Sequence, residues 1–174
     1  MRIRWRNFEL PSTVVVDRES LTDSYGKFTI EPFEKGFGHT IGNGLRRVLL
    51  SSIEGFAVTS VQIDGVQHEF STIKGVMEDV TDIVLNLKGV LVELEASDRV
   101  ELRATRAKKG ELKAGDIEPM AGVRILNPDH VICTPTEDVA VGLTITVARG
   151  RGYVTAEEHE SEERVIGVIS IDSN

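Results

Sequence analysis

Val139-Ala140-Val141-Gly142-Leu143-Thr144-Ile145-Thr146-Val147 is the stretch whose reading decides the fold. Val139, Val141, Leu143, Ile145 and Val147 fall on every second position across its nine residues. Successive side chains of a strand point to opposite faces, so this period predicts a strand with one face on a core. Working outward, the same pattern recurs in shorter pieces. Lys27 to Glu31 alternates before Pro32, and Val14 to Val16 is a β-prone run. Ala57 to Ile63 reads as a strand ending at Asp64-Gly65, a pair suited to the positive φ angles of a type I′ turn. Val66 to Phe70 is therefore expected to return as its hairpin partner. Val90 to Glu95 and Arg99 to Thr105 suggest a second hairpin through Ala96-Ser97-Asp98, and Val123 to Leu126 and His130 to Thr134 read as short strands around Asn127-Pro128. Lys108 to Pro119 reads as loop, Arg149 to Tyr153 is expected to break the long strand, and Val165 to Ile171 is strand-like again.

Two segments carry the helical period instead. Phe37, Ile41, Leu45, Val48 and Leu49 form an apolar stripe, closed by Ser51-Ser52 and Gly55. Val76, Val80, Ile83, Val84 and Leu87 form another, ended by Lys88 and Gly89 as last-turn cation and cap. The fold class that follows is α+β with mostly antiparallel strands.

The chain has 174 residues and a net charge of −8. A domain that binds chiefly by neutralising phosphates carries a basic face and a pI above ~9, whereas the pI here is about 5.1. The lone cysteine, Cys133, excludes an intrachain disulfide framework and a multi-cysteine metal site. It sits in a strand-like run and reads as an inert core residue. His39, His68, His130 and His159 are scattered without ligand spacing, so no metal or cofactor site is expected. No apolar run approaches the ~20 residues that cross a bilayer, and no membrane contact is expected.

Gly36-Phe37-Gly38-His39-Thr40-Ile41-Gly42 invites a nucleotide-loop reading, that of a free-standing α/β enzyme. The third glycine falls one residue late for G-x-G-x-x-G, and no Gly-Lys-Ser/Thr follows. The helix after it is more informative. At 100° per residue, Ile41, Leu45, Val48, Leu49 and Ser52 share one face, while His39, Asn43, Arg46, Arg47 and Leu50 gather opposite. Two readings of that second face stay open on the residues alone: a solvated basic surface with one exposed leucine, or an interface, where arginine is enriched. Arg149-Gly150-Arg151-Gly152 is too short for a nucleic-acid tract. Its arginines are expected to pair with the acidic run Glu157 to Glu163, itself read as a solvated loop.

Glu31 to Ser52 (EPFEKGFGHTIGNGLRRVLLSS) resembles the first-helix region of the bacterial RNA polymerase alpha subunit, N-terminal part. VQIDGVQHEF at 61–70, LNLKG at 85–89, PDHVIC at 128–133 and VARGRGYV at 147–154 match that family in the same order. The resemblance implies a cytoplasmic scaffold in transcription: a homodimer that recruits the beta and then the beta-prime subunit. It implies a dimerisation domain made of 1–54 plus 165–174, with an inserted mixed domain over 55–164. By the same likeness Phe37, Ile41, Leu45, Val48 and Leu49 form the dimer interface, Arg47 and Leu50 contact beta, and Lys88 contacts beta-prime. The acidic stretch lies where some members present an activator-docking loop. Nucleotidyl transfer belongs to the family's large subunits and their magnesium, so no catalytic residue is expected in this chain. Family members continue with the rest of the dimerisation domain and a DNA-contacting domain. The chain is therefore expected to be a truncated form with an incomplete dimerisation domain and no direct DNA contact.

Overall fold

In the computed structural model, which describes residues 9–159 and 166–173, the chain divides into two units, 1–50 and 51–174. The basic start of the chain and acidic residues 160–163 lie outside the described residues.

The β-prone runs of the first unit pair with each other. Thr13–Val16 (β1) lies antiparallel to Phe28–Glu31 (β2), with Val14 opposite Ile30. Gly36 turns the chain at φ 93°, a value that disfavours any side chain, and the helix Phe37–Ser51 (α1) follows. Its apolar stripe forms as the period predicts, yet no residue of α1 is buried.

The second unit is built on a four-stranded antiparallel sheet. Its elements are Glu54–Ile63 (β3), Val80–Lys88 (α2), Val92–Leu94 (β4), Arg99–Arg106 (β5), Leu112–Lys113 (β6), Val123–Ile125 (β7), Val131–Cys133 (β8), Val141–Arg151 (β9), Ala156–His159 (α3) and Val168–Ser170 (β10). The large sheet runs β10-β3-β9-β5, and two small sheets pair β4 with β7 and β6 with β8. One cross-strand row, Leu102–Ile145–Val61–Ile169, spans all four strands of the large sheet. Every member of the row is buried, which is the stabilising unit of a sheet face. Val58 and Val61 are three residues apart but both buried, because the β3 register shifts between Val58 and Ser60. The bulge at Thr59 moves one residue out of step and returns the apolar face to the core. Thr59 is kept satisfied there, donating to the Thr146 carbonyl at 3.4 Å and accepting from the Ile171 amide at 2.8 Å. Val80, Ile83 and Leu87 of α2 are buried in this same core.

Several expected pairings form differently. Asp64-Gly65 does turn, with Gly65 at φ 78°, but 66–70 is no strand. Both edges of β3 are already taken by β9 and β10, which leaves a returning strand nothing to pair with. β4 and β5 make no hairpin either, since β5 bonds to β9 and β4 to β7. Arg149-Gly150-Arg151 continues β9 opposite Glu54 to Phe56 rather than ending it. Within 108–119, the side chains of Leu112, Ala114 and Ile117 are buried, so part of the expected loop is ordered core, including a 3-10 turn at Ala114–Asp116. The tail of the chain, expected to share a unit with 1–54, pairs with β3. From 166 on, its described part lies in the larger unit, where β10 pairs with β3 through Ile169 opposite Val61. Ile169 and Ile171 are apolar side chains that complete that core.

Candidate protein-contact surfaces

The first candidate surface is α1 itself. Phe37, Ile41, Leu45, Val48 and Leu49 are 39–62% exposed and Leu50, on the opposite face, is 60% exposed. A single exposed leucine needs no explanation, but a whole apolar stripe left in water does. Burying each such side chain against a partner is worth on the order of 1–2 kcal/mol. Arg46 and Arg47 lie on the exposed second face with Leu50, so one helix presents an apolar surface and a mixed basic–apolar surface. Gly38, Gly42 and Gly44 have open space where a Cβ would stand; they thin the helix for close approach rather than relieve a clash within the chain. The glycine-loop reading lacks its context. β2 precedes α1 but pairs antiparallel with β1, so no parallel βαβ unit places these amides on a phosphate.

The second candidate surface, in the larger unit, surrounds Lys88 on the last turn of α2. Asp79 caps the start of this helix, its carboxylate accepting from the Asp82 amide at 2.7 Å. At the other end four hydrogen bonds fix the turn that carries Lys88. His130 Nε2 donates to the Asn86 carbonyl at 2.7 Å and Asn127 donates to the Gly89 carbonyl at 2.8 Å. Asn127 also accepts from the Leu91 amide at 2.8 Å, and Asn86 donates to the Ile132 carbonyl at 3.0 Å. These bonds tie the LNLKG and PDHVIC motifs together, so both serve first to terminate α2. Lys88 Nζ, on the exposed side of the turn, stands 3.6 Å from Asp172 Oδ2.

Asp172 is the residue that sequence reading missed. It follows a strand-like tail with no charge pattern to mark it, and its partners are distant in the chain. Its carboxylate accepts from the Ala156 amide at 2.8 Å and so caps α3. That bond, with Lys88 and the Tyr153 hydroxyl, holds the carboxyl below its ordinary range, and the same charge pushes the Tyr153 phenol up after desolvation. Nearby, His159 shares a 2.7 Å hydrogen bond with the Ser173 hydroxyl, and burial lowers its pKa. Arg149 pairs with Glu54 and Asp98 and lies over the Phe56 ring at 5.6 Å, while Arg151 Nε donates to the Ser51 carbonyl. A cleft of about 220 Å³ opens beside them, walled by Phe56, Ala57, Thr59 and Ala148. Cys133 is fully buried and its thiol is pushed up to about 12, mainly by burial and then by Glu78. Among the described residues no helix is long and apolar enough to cross a membrane.

A four-stranded antiparallel sheet with a capped helix packed into the same core defines an α+β domain. The chain belongs to the RNA polymerase Rpb3/RpoA insert domain family, whose description matches residues 61–174. Among curated proteins it is similar to the DNA-directed RNA polymerase subunit alpha of Rhodopirellula baltica, 53% identical over 99% of this chain and 52% of that protein. The subunits of the same name from Pelobacter propionicus and Geobacter metallireducens are each 48% identical, over 97% of this chain and 50% of theirs. The chain spans about half the length of the curated relatives it matches.

Proposed function

We propose that the chain is the assembly-directing part of a cytoplasmic RNA polymerase alpha subunit, a scaffold that contributes no catalytic group to nucleotidyl transfer. In this reading residues up to the end of α1 serve dimerisation, and Phe37, Ile41, Leu45, Val48 and Leu49 meet a second copy. Arg47 and Leu50 on the opposite face contact the beta subunit. Lys88, in the inserted domain, contacts beta-prime. The observation that carries the reading is the exposure of α1 on both sides, with six large apolar side chains at 39–62%. One-sided exposure would suit a helix that merely covers its own domain. Two-sided exposure suits a helix between partners, and the relatives are named as subunits of a multisubunit enzyme.

Sedimentation velocity of the intact protein carrying Ile41→Asp and Leu45→Asp tests the dimer half. A charge on the exposed apolar stripe should convert dimer to monomer without altering the far-ultraviolet circular dichroism. A dimer of unchanged affinity would remove α1 from the interface. The rival nucleotide-binding reading has no parallel βαβ support, so ATP and NAD should leave the melting temperature unmoved.

A further inference from the structure

We propose that Asp172 is a positioning residue for the Lys88 contact, holding the lysine ammonium in place and joining the end of α2 to the root of α3. The inference rests on the reading of Lys88 as a beta-prime contact. Lys88 and Asp172 are separated by 84 positions in sequence, yet Nζ and Oδ2 stand 3.6 Å apart with side chains 36% and 40% exposed. A lysine head on a four-carbon stem is otherwise free to sample many rotamers, and that freedom is lost whenever a partner immobilises it. A carboxylate fixed from behind removes part of that loss in advance. Asp172 is itself fixed, because the Ala156 amide donates to its Oδ1 at 2.8 Å while Oδ2 faces Lys88. The turn beneath Lys88 is held independently by the bonds of Asn86, Asn127 and His130. An ammonium carries three donors; with one directed at Asp172, two remain for acceptors of a partner. The pair is nearly neutral as a unit, so the partner chemistry it fits is a carboxylate or carbonyl at Lys88, the Asp172 carboxylate being already engaged by the Ala156 amide, Lys88 and the Tyr153 hydroxyl. A second consequence is that α3, which opens the acidic stretch, shares its cap with the Lys88 contact.

Asp172→Asn separates this role from folding, since an asparagine oxygen still accepts from the Ala156 amide while the negative charge facing Lys88 is lost. In the intact protein, D172N should weaken association with the isolated beta-prime subunit about fivefold, the scale of a half-exposed ion pair. Lys88→Ala should weaken it at least as much, and the double variant should be no worse than K88A alone. In the same D172N sample, Lys88 should react with an acylating reagent faster than in the parent, approaching the rate of Lys108. Association unchanged in D172N but lowered in K88A overturns the positioning role and leaves the Lys88 reading standing. Additive losses overturn it as well, because they mean that Asp172 meets the partner on its own account. Association unchanged in K88A overturns the Lys88 reading and this inference with it.

Discussion

Gly89 closes α2 at φ −84°, an ordinary right-handed value, so the turn does not require a glycine. The need comes from packing: a Cβ there would stand 2.7 Å from His130 Cε1. Gly89→Ala should displace the imidazole from the Asn86 carbonyl and cost about 1–3 kcal/mol, the usual scale of overpacking, read by urea denaturation. Gly142 is similar, because a side chain there would strike the Asp64–Arg103 ion pair that spans it. Both glycines are plain in the sequence, but the atoms that press on them most closely come from residues 39 or more positions away. Cys133 was legible from its apolar neighbours. Its thiol should stay unreactive towards a disulfide reagent in the folded protein and react on unfolding. The sign of its pH effect follows from a folded pKa of about 12 above an ordinary 9.0. The unfolded chain loses its proton first, so the stability contribution is whole below pH 9 and declines as pH rises towards 12. His159 acts at the acid end. Its pKa is lowered from 6.5, so the unfolded chain binds the proton more readily and stability falls as pH drops below that value.

Strands and helices were legible where a period ran long enough to repeat. β9 and α1 declare themselves, and so does α2, although its apolar stripe begins at Val76 and the helix only at Val80, behind the Asp79 cap. The pairing of strands was not legible. Asp64-Gly65 is a sound turn signal, but a turn fixes only four residues, and sheet order depends on which edges remain open. β3 gives one edge to β9 and the other to β10, whose sequence lies over a hundred positions away. The Thr59 bulge is likewise set by the partner strand, not by any local residue type. Ile145 lies at the centre of the resulting row, fully enclosed on β9. Ile145→Ala should cost about 2–5 kcal/mol, visible as a lowered urea midpoint with unchanged slope. The same change at Leu49, exposed on α1, should leave monomer stability within about 0.5 kcal/mol.

For the whole molecule, the charge of −8 argues against phosphate neutralisation as the main source of affinity, and several arginines find local acids: Arg103 with Asp64, Arg106 with Asp116, Arg124 with Glu93. The family was legible because its motifs are long and ordered. A change of character near Gly55 lies close to the division after residue 50, and the tail from 166 pairs with the larger unit's sheet. The Lys88 position came from its motif, but the acid beside it could not, since nothing local marks Asp172. What remains central is the proposal that α1, exposed on both faces, serves partners on two sides. The most direct measurement is recovery of the isolated beta subunit on immobilised intact protein carrying Arg47→Ala, with dimerisation followed in the same sample. The account predicts beta recovery lowered at least fivefold while the dimer and the circular dichroism stay as in the parent. Full beta recovery with R47A would contradict it.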